Sequence, residues 1–323
     1  EYWSAIYKAW TDTLVTEHEY FVAPVIYTPA LIAKLKVSIE AGLKAVEPLR
    51  GKPNPSRDER LVLDRMRFTE LGFAVLESYM AMQSAVTEVD YTSAVKHGER
   101  GLAAREELTT MNSMFTTYKN IGEHGSAWWP GEVQQYRDLL ARTNGSHGTL
   151  IAKTPLEWAF RRDPHDTGLA RGWAYTQPDL ALWQREGSRF TAESRKDYPD
   201  AWEKLRTDVY AQAQGVRHPD TQSYTGHYWY HTAVELTPEQ LNGKLHLMFP
   251  GLFNECWLYI NGTLVAHRPF TEPWWRADYK FEWDVDVSGA LKPGRNTLAL
   301  RGVCPHHFAG IFRRPFIYRE RTP

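Results

Sequence analysis

The spacing of apolar residues changes once along this chain of 323 residues, and that change restricts the possible folds more than any other feature. Before residue 143, apolar side chains recur every three or four positions, which is the period of an amphipathic helix. After residue 148, they alternate with polar side chains, as in a strand with one buried face. The pattern predicts a multidomain α plus β chain, in which an N-terminal antiparallel helical bundle precedes an antiparallel β-sandwich.

The helical half carries start and stop signals at the ends of its apolar runs. Thr28 followed by Pro29 is typical of a helix N-terminus, and we expect Pro48 to end that helix. Ser56 and Glu59 have the spacing of a capping box, in which the two side chains bond to each other's backbone N–H groups. These signals predict several helices joined by short loops, which is the pattern of a bundle.

The second half reads as many short strands separated by turn residues, which favours a sandwich. Clear alternation occurs at 228–234, 244–249 and 255–260, and the last of these runs into Asn261-Gly262, a strong signal for a tight hairpin. Residues 177–224 are polar, and we interpret them as a long connection that contains one helix near 198–214. The turn-forming run at 143–148 (TNGSHG) predicts a boundary between a domain at 1–147 and a domain at 148–323.

Composition excludes several classes of function. The net charge is −1, and no basic run indicates a nucleic-acid partner or an anionic membrane. No apolar stretch reaches the length of a membrane span, which is about 20 residues. The chain contains 13 Trp and 17 Tyr, and both types suit sandwich cores as well as surfaces that stack on sugars.

The two cysteines fall on predicted strands, where alternation points both side chains inward. Cys256 and Cys304 are therefore expected to be either two buried thiols or a disulfide between neighbouring strands.

Five segments of the second half resemble, in the same order, motifs of the sugar-binding jelly-roll domain of glycoside hydrolase family 2, which has the galactose-binding-like fold. They are WAFRRDPHDTG at 158–168, GHYWY at 226–230, LYING at 258–262, LKPGRN at 291–296 and GIFRRP at 310–315. Position 231, after GHYWY, is His where the family commonly has Arg. The resemblance implies a galactose-binding-like jelly roll at 148–323 and contact with carbohydrate.

The helical half at 1–147 resembles, more loosely, the helical region that follows the barrel in bacterial proteins similar to α-glucuronidases and hexosaminidases. That resemblance implies a catalytic barrel upstream of Glu1. Asn254-Glu255 looks like the catalytic pair of the family's barrel, but here it precedes a sandwich hairpin. We therefore assign no catalytic residue to this chain.

The best candidate for a binding site is the segment 267–276, which holds two adjacent tryptophans flanked by charged residues. An indole ring can stack on the apolar C–H face of a pyranose, while charged groups bond to its hydroxyls. The candidate contacts are His267, Arg268, Glu272, Trp274, Trp275 and Arg276. The alternatives are that one Trp plugs the end of the sandwich, packs on the helices or contacts another domain.

No cofactor is expected. Glu282, Asp284 and Asp286 alternate along one strand face, where they would either be solvated or help to hold a structural calcium ion.

Three functions remain open. In the first, the chain is a non-catalytic carbohydrate-binding accessory region of a larger extracellular or periplasmic glycoside-hydrolase-like protein. Its partners would be a polysaccharide and the upstream catalytic domain. Alternatively, the sandwich is a structural brace or assembly domain that keeps the fold without binding sugar. The third possibility, an enzyme, would need a close pair of carboxylates or a metal in a cleft.

Overall fold

The computed structural model describes residues 1–13, 19–112, 128–216, 224–271, 282–305 and 310–321. Residue contacts group the chain into two compact units. One unit comprises Glu1–Ala85 and Thr92–Tyr136, and the other comprises Val86–Tyr91 and Arg137–Pro323. The predicted division at residues 147 and 148 stays a prediction.

The first part of the chain is helical. The helices are α1 (Tyr2–Asp12), α2 (Glu19–Ile26), α3 (Pro29–Arg50), α4 (Arg57–Thr87), α5 (Tyr91–Met111) and α6 (Trp128–Thr143). None of the helices within the described ranges has the length and apolar character needed to cross a bilayer.

The predicted helix starts are confirmed. The Thr28 hydroxyl accepts a hydrogen bond from the Leu31 backbone N–H, and Pro29 is the first residue of α3. Before α4, the backbone N–H of Ser56 donates to the Glu59 carboxylate, and the Glu59 N–H donates to the Ser56 hydroxyl. The expected stop at Pro48 is wrong, because α3 continues to Arg50. Pro48 lacks the N–H that would bond to the Lys44 carbonyl, and the helix ends two residues later, within one turn of the proline.

Helix α3 buries the stripe that its periodicity predicts. Leu35 and Ile39 form an apolar cluster with Ala5 of α1 and Phe73 of α4. A second cluster joins Leu71 of α4 to α5. This packing supplies most of the stability of such helices, since propensity alone contributes little.

The second part forms an antiparallel β-sandwich, which confirms the predicted fold class. The strands are β1 (Gly148–Lys153), β2 (Glu157–Asp163), β3 (Glu203–Arg206), β4 (Gly226–Leu236), β5 (Leu245–Phe249), β6 (Gly251–Phe253), β7 (Glu255–Ile260), β8 (Thr263–Arg268), β9 (Trp283–Asp286), β10 (Gly294–Cys304), β11 (Gly310–Arg313) and β12 (Phe316–Glu320). Over the described residues, one sheet has the order β3-β2-β4-β10-β7-β8, a second has the order β1-β12-β5-β9, and β11 pairs with β6.

The core lies between the two larger sheets. Tyr228 and Tyr230 of β4 point inward with Leu298 and Leu300 of β10, as strict alternation requires. Trp158 of β2 meets Phe249 of β5 edge to face, with ring centroids 6.4 Å apart. Cys256 and Cys304 are free thiols buried in this core, so they form no disulfide.

A second apolar cluster covers part of the outer face of the six-stranded sheet. Outward-facing Trp229 and Tyr259 stack there with centroids 5.7 Å apart. Trp173, from the turn after β2, and Trp202, which precedes β3, pack over them.

The helix expected near 198–214 is wrong. Short helices α7 (Ala181–Arg185) and α8 (Ala192–Asp197) precede that segment, which contains strand β3 and a 3-10 turn at Gln212–Gln214. Within it, Trp202 joins the outer cluster while Leu205 joins the core. Strand pairing with β2 allows residues so close in sequence to reach opposite faces of one sheet.

Candidate functional site

The six residues predicted to contact sugar fall in the segment 267–276, which begins at the end of β8. Glu272, Trp274, Trp275 and Arg276 are outside the described residues, so their placement stays a prediction. His267 and Arg268 are neighbours on β8 and therefore point to opposite faces of the sheet.

Arg268 turns inward and ties together the two ends of the segment. Its Nε donates to the Asn254 carbonyl at 2.6 Å, and its Nη1 donates to the Glu282 carbonyl at 3.2 Å. The third donor, Nη2, bonds to the carbonyl of Leu252. Charged donors on backbone carbonyls form strong hydrogen bonds, so Arg268 fixes the backbone at these points.

Asn254 fixes the point where the chain leaves the sheet. Its side chain is buried, and it exchanges two hydrogen bonds of 3.1 Å with the backbone N–H and carbonyl of Thr271. Thr271 and Glu282 are the described residues that border Trp274 and Trp275 in sequence. Asn254 holds the first on the sandwich, and Arg268 holds the second.

His267 turns outward, where 39% of its side chain is exposed. Its imidazole stacks in parallel on the indole of Trp257, with centroids 4.6 Å apart and an interplanar angle of 7°. His267 Nε2 lies 3.0 Å from the Glu255 carboxylate, on the same face of β7. The imidazole is therefore oriented by both a stack and a hydrogen bond.

A row of outward-facing side chains, which we call the ladder, continues from His267 across the sheet. Strand register aligns His267, Trp257, Arg301, Trp229 and Arg161 on β8, β7, β10, β4 and β2. The Arg301 guanidinium lies 4.2 Å from the Trp257 ring centroid. This distance is within the range of a cation–π interaction.

Both faces of the Trp257 indole are covered. His267 and Arg301 come from the strands on either side of β7, so one group covers each face of the ring. A pyranose stacks on an open aromatic face, and Trp257 offers only its edge. The ladder is therefore a rigid support and not itself a stacking surface.

A second row, which we call the rim, lies beside the ladder at the end of the sheet where β8 ends at Arg268. It consists of His227, Glu255 and the turn residue Asp166, together with His267, which ends the ladder and joins this row through its contact with Glu255. Val303 of β10 pairs with Glu255 on one side and with His227 on the other. Asp166 accepts a hydrogen bond from Arg301 at 2.5 Å and lies 3.9 Å from His227 Nδ1.

The rim presents charged groups that solvent can reach. The exposed fractions are 45% for the Asp166 side chain and 24% for the Glu255 side chain. Partial burial lowers the pKa of His227, Asp166 opposes that shift and Arg301 adds to it. Carboxylate and imidazole groups in such a row can accept and donate hydrogen bonds to a polyhydroxylated ligand.

Sequence reasoning identified His267 but missed Asp166, His227 and Arg301 as parts of one surface. Asp166 carried a signal, since it lies in the turn that resembles a family motif. His227 carried one of the same kind, since it lies in the GHYWY run at 226–230, whereas Arg301 carried none, because its proximity to them depends on strand register.

The Glu282, Asp284 and Asp286 side chains have protein partners. Asp284 accepts a 2.7 Å hydrogen bond from the Tyr318 hydroxyl and lies 3.0 Å from His246 Nδ1. The Ser288 backbone N–H and hydroxyl both donate to Asp286, and these bonds lower its pKa. Glu282 lies 3.8 Å from Arg142. No group of three metal-ligating side chains occurs in the part of the chain that the structure describes.

The fold defines a class of protein, a chain in which helices precede a two-sheet antiparallel sandwich. Among solved structures, the chain is similar to β-glucuronidase from Ruminococcus gnavus, with a TM-score of 0.41 and 16% identity over 55% of this chain and 29% of that chain. The same enzyme in complex with D-glucuronic acid gives a TM-score of 0.41 and 16% identity over 55% of this chain and 30% of that chain. This chain therefore spans about 30% of the length of that protein. No protein family matches the chain, and no curated protein is similar to it.

Proposed function

We propose that this chain is the non-catalytic carbohydrate-binding region of a larger extracellular or periplasmic glycoside-hydrolase-like protein. The contact surface is the rim together with the predicted segment 267–276. In the intact protein, the sandwich holds a polysaccharide near an upstream catalytic domain. The motif resemblance of residues 158–315 supports this assignment.

The observation that carries the proposal is that Thr271 and Glu282, the described residues bordering the segment, are both held on the sandwich that presents the rim. Arg268 and Asn254 fix Thr271 and the Glu282 backbone, so a ligand would meet a segment whose ends are already ordered. Ordering side chains and loops on binding costs free energy, and pre-organisation reduces that cost. Binding sites supported by rigid elements are accordingly more effective than free loops.

The rim supplies the polar half of such a site. Glu255 and Asp166 accept hydrogen bonds, while His267 and His227 can donate or accept them. The predicted stacking groups are Trp274 and Trp275. In this proposal His267 contacts the sugar, whereas Arg268 acts by fixing the backbone of Glu282, where the described chain resumes.

A structural brace is the second candidate, and both the ladder and Arg268 favour it. Trp257 is covered on both faces, and Arg268 uses three donors on backbone carbonyls. Both features rigidify the sheet without presenting anything to a sugar. A brace would keep the same fold and bind no glycan.

Isothermal titration calorimetry separates the two candidates. The titrants are soluble oligosaccharides of cellulose, xylan, mannan and β-1,3-glucan, each tested against the wild-type chain. Binding should fall about tenfold or more in a Trp274→Ala/Trp275→Ala variant, since aromatic anchors dominate such contacts. A His267→Ala/Asp166→Ala variant should weaken binding by a smaller factor.

The chain offers a matched control for the loss of two aromatic rings. Trp3 and Tyr7 of α1 are 60% and 72% exposed, and they lie in the other compact unit. A Trp3→Ala/Tyr7→Ala variant should bind as the wild type does. If the folded wild type binds none of the glycans, the brace replaces the carbohydrate-binding function.

A further inference from the structure

The Asn261-Gly262 hairpin lies at the opposite end of the six-stranded sheet from the rim, because β7 and β8 run antiparallel between them. Tyr175 lies against this hairpin, and 67% of it is exposed. Scattered apolar residues on a surface are ordinary. Tyr175 differs because its backbone is fixed and its ring rests on glycine.

The turn that carries Tyr175 is tightly bonded. The Gly172 carbonyl accepts hydrogen bonds from the backbone N–H groups of Tyr175 and Thr176, at 3.1 and 2.9 Å, and from the Thr176 hydroxyl at 3.0 Å. The preceding residues, Trp173 and Ala174, are buried in the outer cluster. An exposed tyrosine is thus held on an ordered support.

Two glycines form the surface under the side chain. A Cβ at position 172 would lie 2.6 Å from Cζ and from the hydroxyl of Tyr175, and a Cβ at position 262 would lie 3.0 Å from Tyr175 Cβ. Both glycines have positive φ angles, 75° and 84°, which other residues rarely adopt. Glycine at positions 172 and 262 therefore lets the Tyr175 side chain lie against the backbone of these two turns.

Tyr175 is also not engaged elsewhere in the described part of the chain. Neither its ring nor its hydroxyl has an aromatic, cationic or hydrogen-bonding partner there. Trp257 and Trp229, in contrast, have their faces covered by neighbours. Tyr175 is the described aromatic of this unit with the most exposed side chain.

The two residues that follow Tyr175 carry neutral polar side chains. Thr176 and Gln177 follow it in sequence, and Gln177 accepts a 3.2 Å hydrogen bond from Arg295, which leaves its amide N–H groups available. An aromatic face with neutral hydrogen-bonding groups beside it suits the C–H face of an uncharged pyranose, whose polarised C–H bonds meet the negative π face.

We infer that Tyr175 is a second carbohydrate subsite, separate from the rim, which stacks on the C–H face of a neutral pyranose unit. This inference rests on the proposed function and extends it to the hairpin end of the sheet. Because Tyr175 is pre-ordered, stacking incurs little conformational entropy cost.

Calorimetry with cello- and xylo-oligosaccharides tests the subsite in the full chain. Tyr175→Ala should weaken binding about tenfold, whereas Tyr175→Phe should stay within about twofold because the ring remains. Tyr175→Trp keeps a stacking face, and its fluorescence should change on titration. Tyr7→Ala is the matched control, since Tyr7 is 72% exposed on α1 and should leave affinity unchanged.

The outcomes separate this inference from the proposed function. If the wild type binds and Tyr175→Ala binds equally well, the subsite is excluded while the rim function stands. If Tyr175→Phe loses as much affinity as Tyr175→Ala, the hydroxyl is the contact and the stacking assignment is overturned. If the folded wild type binds neither glycan series, the subsite falls together with glucan and xylan binding at the rim.

Discussion

His231 is a buried, outward-facing residue of β4 whose chemistry makes stability depend on pH. It is 3% exposed, and burial, with a further contribution from Arg295, lowers its pKa to about 4. An unfolded histidine titrates near pH 6.5. The native state therefore binds fewer protons than the unfolded chain between these values, and stability falls as the pH drops from about 6.5 towards 4.

The loss should reach up to about 3 kcal/mol, since one unit of pKa shift corresponds to about 1.4 kcal/mol. Urea unfolding of the sandwich, followed by tryptophan fluorescence at pH 7 and pH 4.5, measures it. A His231→Gln variant cannot titrate and should lose less stability over the same interval. Equal losses in the two proteins would show that His231 does not control this dependence.

Arg268 illustrates how a candidate contact can have a structural role. Arg268→Lys should destabilise the sandwich by about 2 kcal/mol, because a single ammonium group cannot reproduce three bonds to the carbonyls of Leu252, Asn254 and Glu282. Urea unfolding monitors this change. Arg295→Lys, at an exposed position, is the control and should lie within about 0.5 kcal/mol of wild type. If Arg268→Lys leaves the free energy of unfolding unchanged, the hydrogen bonds to the three carbonyls contribute little to stability.

For single residues, the sequence indicates which side chains belong to a region of interest, but not which partners they contact. His267 and Arg268 both read as sugar contacts, yet adjacent strand residues point to opposite faces. One stacks on Trp257, and the other bonds to backbone carbonyls. Asp166 and Arg301 are 135 positions apart, so only the fold brings them together.

The ladder is an element-scale feature that depends on the register of β7 and β10. A double-mutant cycle with Trp257→Leu and Arg301→Met should give a coupling free energy of about 1 kcal/mol, the size of a partly buried cation–π contact. Both single variants and the double variant are compared by urea unfolding. A coupling within error of zero would contradict an energetic role for the stack.

Elements with clear alternation were predicted well, and the segment between them was not. Strands β4, β7 and β10 follow the pattern because one face of each is buried against the core. The segment near 198–214 contacts the core and the outer cluster in turn. Its apolar spacing therefore reflects two surfaces rather than one helical face.

At the scale of the whole molecule, the change of hydrophobic period near residue 147 was sufficient to predict the fold class. Periodicity reports which faces are buried, and burial determines the layers of a domain. It cannot report which outward-facing side chains meet. The rim and the Tyr175 subsite therefore emerge only from strand pairing and turn geometry.

NMR amide-shift mapping of the chain with cello- or xylo-oligosaccharide tests the central claim most directly, because it locates the contact on the sandwich. Shifts should concentrate at the rim, at residues 164–168, 226–227, 254–256 and 266–271, with a smaller set around Tyr175. The sheet of β1, β12, β5 and β9 should remain unchanged. Shifts confined to that sheet, or none at saturating ligand, would contradict carbohydrate binding at the rim.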